Sequence, residues 1–242
     1  MLTVPFISSM PSAAALADAL HALANPARAA QLKRFFKTGP GQYGEGDQFL
    51  GLDLPQQRLL ARQFRELPLA EGEQLLGSPW HEFRQTGLII WTLQFAKAGP
   101  AGRQAIHEAY LRNRQRVNNW NLVDITCPLL LGTYLMDKDR SLLYELAAED
   151  QLWSQRMSIV STLAFIRKGQ FADTFALAEQ LLHHRHDLIH KAMGWMLREV
   201  GKRSPEALEE FLADHARQLP RTALRYAIEK LDPVRRQLYM AR

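Results

Sequence analysis

Three segments of the chain place polar groups among apolar ones. In Trp120-Asn-Leu-Val-Asp124 an indole and a carboxylate stand four residues apart, the spacing that puts both on one helix face. Pro128 follows and cannot donate to the Asp124 carbonyl, so the helix should kink or loosen beside that carboxylate. The alternative is that Asp124 caps a helix restarting at Ile125 and Trp120 is core. Over 151–167, Leu152, Ile159, Val160 and Leu163 make an apolar stripe, and Arg156 falls on it. A guanidinium facing a core is costly unless paired, so Arg156 either joins two helices in a buried ion pair or points into a ligand groove. Asp124 supplies the opposite sign. In 191–203, Gly194 interrupts a helix just before Trp195, which suits close approach of another group. Trp195 shares a face with Lys191 and Arg198; a plain core tryptophan is the alternative. A carboxylate and electron-rich indoles are groups that stabilise developing positive charge.

Other clusters carry less. Arg58, Arg62 and Arg65 recur at i, i+4 and i+7, and Arg112, Arg114 and Arg116 crowd one helix end. Arg198, Lys202 and Arg203 close another helix, and Arg221 and Arg225 share a face. Each cluster alone reads as a solvated surface; several at helix ends suit a phosphate-binding groove. His186 and His190 have the spacing of two metal ligands, but no Glu follows His186, so a solvated or phosphate-facing cluster is expected, with no metal and no cofactor. Cys127 beside Pro128 reads as a buried, inert thiol, and no Gly-x-Ser-x-Gly elbow is present.

These residues must be positioned by helices. Ala, Leu, Arg, Gln and Glu dominate, and the pattern predicts helices over 12–24, 27–37, 55–66, 69–77, 79–98, 101–117, 119–136, 139–149, 151–167, 171–183, 187–201, 205–218, 220–230 and 232–240. Asn25-Pro26 separates the first two, and Asp53 before Pro55, Ser78-Pro79, Ser204-Pro205 and Asp232-Pro233 look like caps followed by proline. Segment 1–10 should be loose and 38–54 an irregular loop. Four of the loop's glycines fall within eight residues without a P-loop ending, so a mobile surface loop is favoured over a phosphate cradle. Helices pairing every 30–40 residues or so predict an all-α fold, a curved α-solenoid of HEAT-like repeats in a single domain over 1–242. The formal charge of +5 and pI near 9.5 favour a polyanionic partner without establishing one. One cysteine excludes an intrachain disulfide and suits a reducing cytoplasm. No signal peptide and no membrane span is expected.

Taken in order, WNLVD, LWSQRMSIV and KAMGWMLREVGK resemble the AlkD-type family of bacterial DNA alkylation repair glycosylases. LHALANPARAAQLKRFFKTGPGQYG, FLGLDLPQQRLLARQF and SPWHEFRQTGLIIW are similar to the family's earlier helices, so the resemblance runs over nearly the whole chain. It implies a HEAT-like fold gripping duplex DNA and hydrolysis of the N-glycosidic bond of N3- or N7-alkylated purines. It puts the catalytic aspartate at Asp124, the tryptophans at Trp120 and Trp195 and the arginine at Arg156. It also implies a lesion handled while still stacked. Asn119 departs from the family, where a second tryptophan is common. The expected partner is double-stranded DNA containing alkylated purines. It would be contacted through Arg58, Arg62, Arg65, Lys191, Arg198 and Lys202 by a monomer that works in the bacterial cytoplasm on the nucleoid, with no membrane. A non-catalytic binder of structured nucleic acid and a protein-interaction adaptor are the rival classes.

Overall fold

The computed structural model describes residues 11–241, so the expected loose segment 1–10 lies outside the described residues. Every regular element among the described residues is helical, with one isolated bridge between Gln48 and Trp80. The chain divides into two compact units, one up to Leu122 and one from Val123.

The first unit holds α1 (Ala13–Ala22), α2 (Pro26–Phe35), α3 (Leu54–Gln63), α4 (Leu69–Leu76), α5 (His81–Lys97), α6 (Pro100–Arg112) and a 3₁₀ turn, Arg114–Arg116; α7 (Trp120–Cys127) begins at its end. The second holds the rest of α7, a π-helical stretch Pro128–Thr133, α8 (Ser141–Ala148), α9 (Leu152–Ser161), α10 (Leu163–Ile166), α11 (Ala172–Gln180), α12 (Asp187–Gly201), α13 (Pro205–His215), α14 (Arg221–Ala227) and α15 (Pro233–Met240). Helices pack on near neighbours: α3 and α4 on α5, α8 on α9, α13 and α14 on α12. That local pairing is the one expected of stacked helical repeats. Helix α5 is buried nearly all round, which is how an element at the centre of a unit reads.

The caps at Asp53, Ser204 and Asp232 form as expected, and Asn25 caps α2 as well, each side chain accepting from a backbone N–H of the first turn. Ser78 does not cap a helix at 79. Pro79 and His81 are instead drawn into backbone bonds with Gln48, Ser78 Oγ accepts from Trp80 N, and α5 starts at His81. Segment 151–167 breaks at Thr162, where the hydroxyls of Ser161 and Thr162 bond back to the Met157 and Ile159 carbonyls.

Loop 39–53 also differs from the mobile surface loop expected. Asp47, Phe49, Leu50 and Leu52 are buried, and the Glu82 carboxylate accepts from Leu50 N at 3.0 Å, Gly51 N at 2.8 Å and Leu52 N at 3.3 Å. The backbone does cradle an anion, but one from the chain itself. Gly51, at φ +94°, is needed: a Cβ there would stand 2.1 Å from the Asn25 carbonyl oxygen.

Candidate active site

Asp124 lies in the interior of α7, so it does not cap a helix restarting at Ile125. Pro128 takes the hydrogen-bond ladder out of α-helical register just beyond it, into the π-helical stretch. Gly132 lets that stretch meet α9: a Cβ there would lie 2.1 Å from the Ser161 carbonyl oxygen. Arg156 enters from α9. Its Nε donates to Asp124 Oδ1 and its Nη2 to Oδ2, both at 2.8 Å, and Nη1 donates to the Leu188 carbonyl in the first turn of α12. Each of the three guanidinium nitrogens therefore donates, Nε and Nη2 together in the bidentate geometry that fixes a carboxylate plane.

The Arg156 side chain is only 6% exposed, whereas Asp124 keeps 17%. The carboxylate, not the cation, is the member of the pair that meets solvent. Burial raises the Asp124 carboxyl above its ordinary range, while the charge and hydrogen bonds of Arg156 pull the other way. Cys127 is fully buried, and burial pushes its thiol well above the ordinary value, as the apolar run around it suggested.

Trp195 sits on α12, half-buried, with Nε1 donating to Glu199 Oε1 at 3.2 Å. Gly194 does admit a neighbour: a Cβ there would lie 2.4 Å from the Ala223 carbonyl oxygen of α14. The cations expected around Trp195 all have acidic companions. Lys191 pairs with Asp187 at 2.7 Å, Lys202 with Glu199 at 2.6 Å, and Arg198 with Glu229 while lying 6.0 Å from the Tyr226 ring centre.

In the first unit Trp120 is half-buried against Phe36 and Phe35, ring centres 5.5 and 6.0 Å away. A buried network precedes it. Asp47 accepts from Arg84 Nη2 at 2.5 Å, His81 Nδ1 at 2.9 Å and Asn119 Nδ2 at 3.3 Å, and Asn121 Nδ2 donates to His81 Nε2 at 2.9 Å. Burial would raise the Asp47 carboxyl, but the His81 hydrogen bond and the Arg84 charge outweigh it and hold the group low. Asn119, the departure from the resembled pattern, is thus a fully buried donor to Asp47.

Arg58 and Arg62 are exposed on α3 and have no acidic partner among the described residues. The ridge does not run on as one helix: α3 stops at Gln63, and Arg65 beyond it pairs with Glu66 at 3.1 Å. Arg62, Arg65 and Lys97 line a hollow of about 310 Å³. Sequence reasoning passed over Lys33, Arg34 and Lys37, exposed cations in and just beyond α2 that likewise have no acidic partner among the described residues. The signal was present, since no Asp or Glu occurs between Pro26 and Thr38.

The family model for DNA alkylation repair enzymes matches residues 16–231. The chain belongs to that family. Among solved structures it is similar to a predicted DNA alkylation repair enzyme from Enterococcus faecalis, at 17% identity and a TM-score of 0.67, over 87% of this chain and 97% of that one. No curated protein matches significantly. Membership of the DNA alkylation repair enzymes accounts for the helical-repeat fold and makes DNA the partner. Among the described residues, no helix is long and apolar enough to cross a membrane, and no three His, Cys, Asp or Glu side chains cluster as metal ligands.

Proposed function

We propose that the protein is a DNA glycosylase that hydrolyses the N-glycosidic bond of N3- or N7-alkylated purines. The observation that carries this reading is a partly exposed Asp124 side chain whose carboxylate plane is fixed by the bidentate contact of a buried Arg156. Alkylation at N3 or N7 makes the purine cationic, so the bond electrons leave with the base, which departs neutral without a general acid. Positive charge then builds on the deoxyribose. Ionised Asp124 stabilises it and orients the water whose oxygen adds to the sugar carbon and whose proton is lost. The indole face of Trp195, in the same unit as Asp124, adds cation–π attraction. Arg156, buried and bound to both Asp124 oxygens, serves by orienting the carboxylate more than by gripping a phosphate.

Phosphates fall to cations without acidic partners among the described residues: Arg58 and Arg62, joined by Lys33, Arg34 and Lys37. Arg65, Lys191, Arg198 and Lys202 contribute only on release from their acidic neighbours. The protein would act as a monomer in the bacterial cytoplasm, on the nucleoid. Incubating it with duplex DNA containing 7-methylguanine and measuring free base tests the reading; absence of released base counts against it. A second reading, a non-catalytic nucleic-acid binder, is favoured by one feature: an Asp124–Arg156 pair of this geometry also suits a purely structural link between helices. DNA binding without base release would select it.

A further inference from the structure

The tract His183–His190, whose spacing resembled a pair of metal ligands, is used otherwise. His186 is the N-cap of α12, and its Nδ1 accepts from Leu188 N at 3.1 Å. His184 Nδ1 accepts from His186 N at 3.0 Å, and its Nε2 meets Gln155 Oε1 at 2.9 Å. His190 Nε2 meets the His184 carbonyl. A backbone N–H can only donate, so both Nδ1 atoms act as lone-pair acceptors, and an amide oxygen takes the His184 Nε2 proton. The contacts therefore require His184 and His186 as neutral imidazoles.

The chain of bonds closes on itself. It leaves α9 at Gln155, passes through His184 and His186 to the Leu188 amide, and returns from the Leu188 carbonyl to Arg156, the next residue of α9. We infer that His184 and His186 are positioning residues, whose neutral rings fix the Leu188 backbone at its N–H so that its carbonyl, one peptide on, holds Arg156 square to Asp124. Protonating either ring sets N–H against N–H and opens the relay. Burial, with His186 and His190 nearby, lowers the His184 pKa against the pull of Asp150, which keeps that ring neutral near neutral pH. The other charged groups around the relay are His183 and Arg185 in the same loop, and Asp187 with its partner Lys191 on α12; Asp187 also touches Thr222 of α14.

The catalytic consequence rests on the glycosylase reading; the geometric one does not. Two readouts on the full chain keep them apart. The first is the ¹⁵N–¹H signal of Arg156 Nε, protected from exchange by burial. The second is single-turnover release of 7-methylguanine. His186→Ala should shift or broaden the Nε signal and lower the plateau rate by about tenfold to a hundredfold, as for a catalytic group displaced by about 1 Å, with half-saturation by DNA unchanged. His186→Asn should restore both, because asparagine is a strong N-cap acceptor without a titrating ring. In the unsubstituted protein, which needs no variant to fold, the Nε signal should move as the His184 ring titrates. An Nε signal unmoved in His186→Ala, an Asn variant as impaired as Ala, or a signal that follows only the Asp124 carboxyl overturns the inference. If the signal moves as described but the unsubstituted protein releases no base, the relay stands and the glycosylase reading falls.

Discussion

Replacing Asp124 with asparagine keeps the side chain's size and removes its charge. In the native pair each carboxylate oxygen accepts one guanidinium N–H at 2.8 Å. Asparagine can keep one of these through Oδ1, but its Nδ2 then faces an Arg156 donor, and a guanidinium only 6% exposed loses its counter-charge. Breaking a buried pair from one side costs about 3–5 kcal/mol. Burial already offsets much of the pair's attraction, as the raised Asp124 pKa shows, so the cost falls below that range: about 1–3 kcal/mol for the guanidinium donor left facing Nδ2, or roughly 2–12 °C in melting temperature for a chain of this size. Loss of the transition-state charge should slow base release on the order of 10²-fold. The two effects separate in the double variant Asp124→Asn/Arg156→Met, which removes the stranded cation. It should recover most of the melting temperature and none of the rate. The assay is single-turnover release of 7-methylguanine below the lowest melting temperature, beside thermal melts of the same preparations. An Asn variant with undiminished release would falsify the catalytic assignment. A double variant that regains both stability and rate would show that Asp124 matters only by neutralising Arg156.

Because burial raises the Asp124 carboxyl, base release should rise with pH through a value above the ordinary carboxylate range, and the Asn variant should lack that limb in a pH–rate profile. The linked stability runs oppositely: a raised folded-state pKa favours folding below the unfolded value, and this contribution is lost as pH rises through the folded one, so melts of Asp124→Asn across pH should lack it. Affinity for undamaged duplex DNA should fall with salt at a slope of about −0.9 per neutralised phosphate; Arg62→Gln should flatten it by about one contact while Lys202→Gln, losing a cation already paired with Glu199, flattens it less. Gly194→Ala, whose Cβ would meet the Ala223 carbonyl oxygen at 2.4 Å, should cost about 1–3 kcal/mol in a denaturant melt, and an unchanged midpoint would refute the close approach of α14. Glu82→Gln should destabilise by about 1.5–3 kcal/mol, because an amide accepts the three loop N–H groups less strongly than a carboxylate, and should raise hydrogen exchange at residues 50–52 first.

Much of the candidate site was legible because helical phase is. Arg156 stood out as a charge on an apolar stripe, Asp124 as a carboxylate four residues before a proline, and Gly194 as a break in a good helix; each anomaly has a physical counterpart in the fold. What could not be read was long-range. Glu229 lies 31 residues from the Arg198 it pairs with, and Asp47 lies 72 from Asn119 and 37 from Arg84. No periodicity announces such partners. The same limit made the glycine-rich loop look mobile: its composition reported backbone freedom, while the anion that orders it sits on α5. The histidine tract misled in a different way. An i, i+4 pair on a helix suggests ligands, but His186 precedes the helix as its cap, so the two rings never share a helical face as that spacing implied.

The π-helical stretch from Pro128 to Thr133 has a consequence for how this sequence can vary. A wider turn accommodates an extra residue without rotating the helix after it, so it works as a phase compensator between α7 and the chain beyond. Each residue added to an α-helix turns all later side chains by about 100°. Deleting one residue from 128–133 should therefore let the stretch relax into ordinary α-helix with Asp124 still in place. The buried leucines Leu130 and Leu131, inside the stretch, would then change direction, and Gly132 would no longer face Ser161. Substitutions in this stretch should accordingly be tolerated where volume is kept, and single-residue deletions should not. When relatives are aligned with this chain, a one-residue gap placed here marks loss of the wider turn rather than a shortened loop.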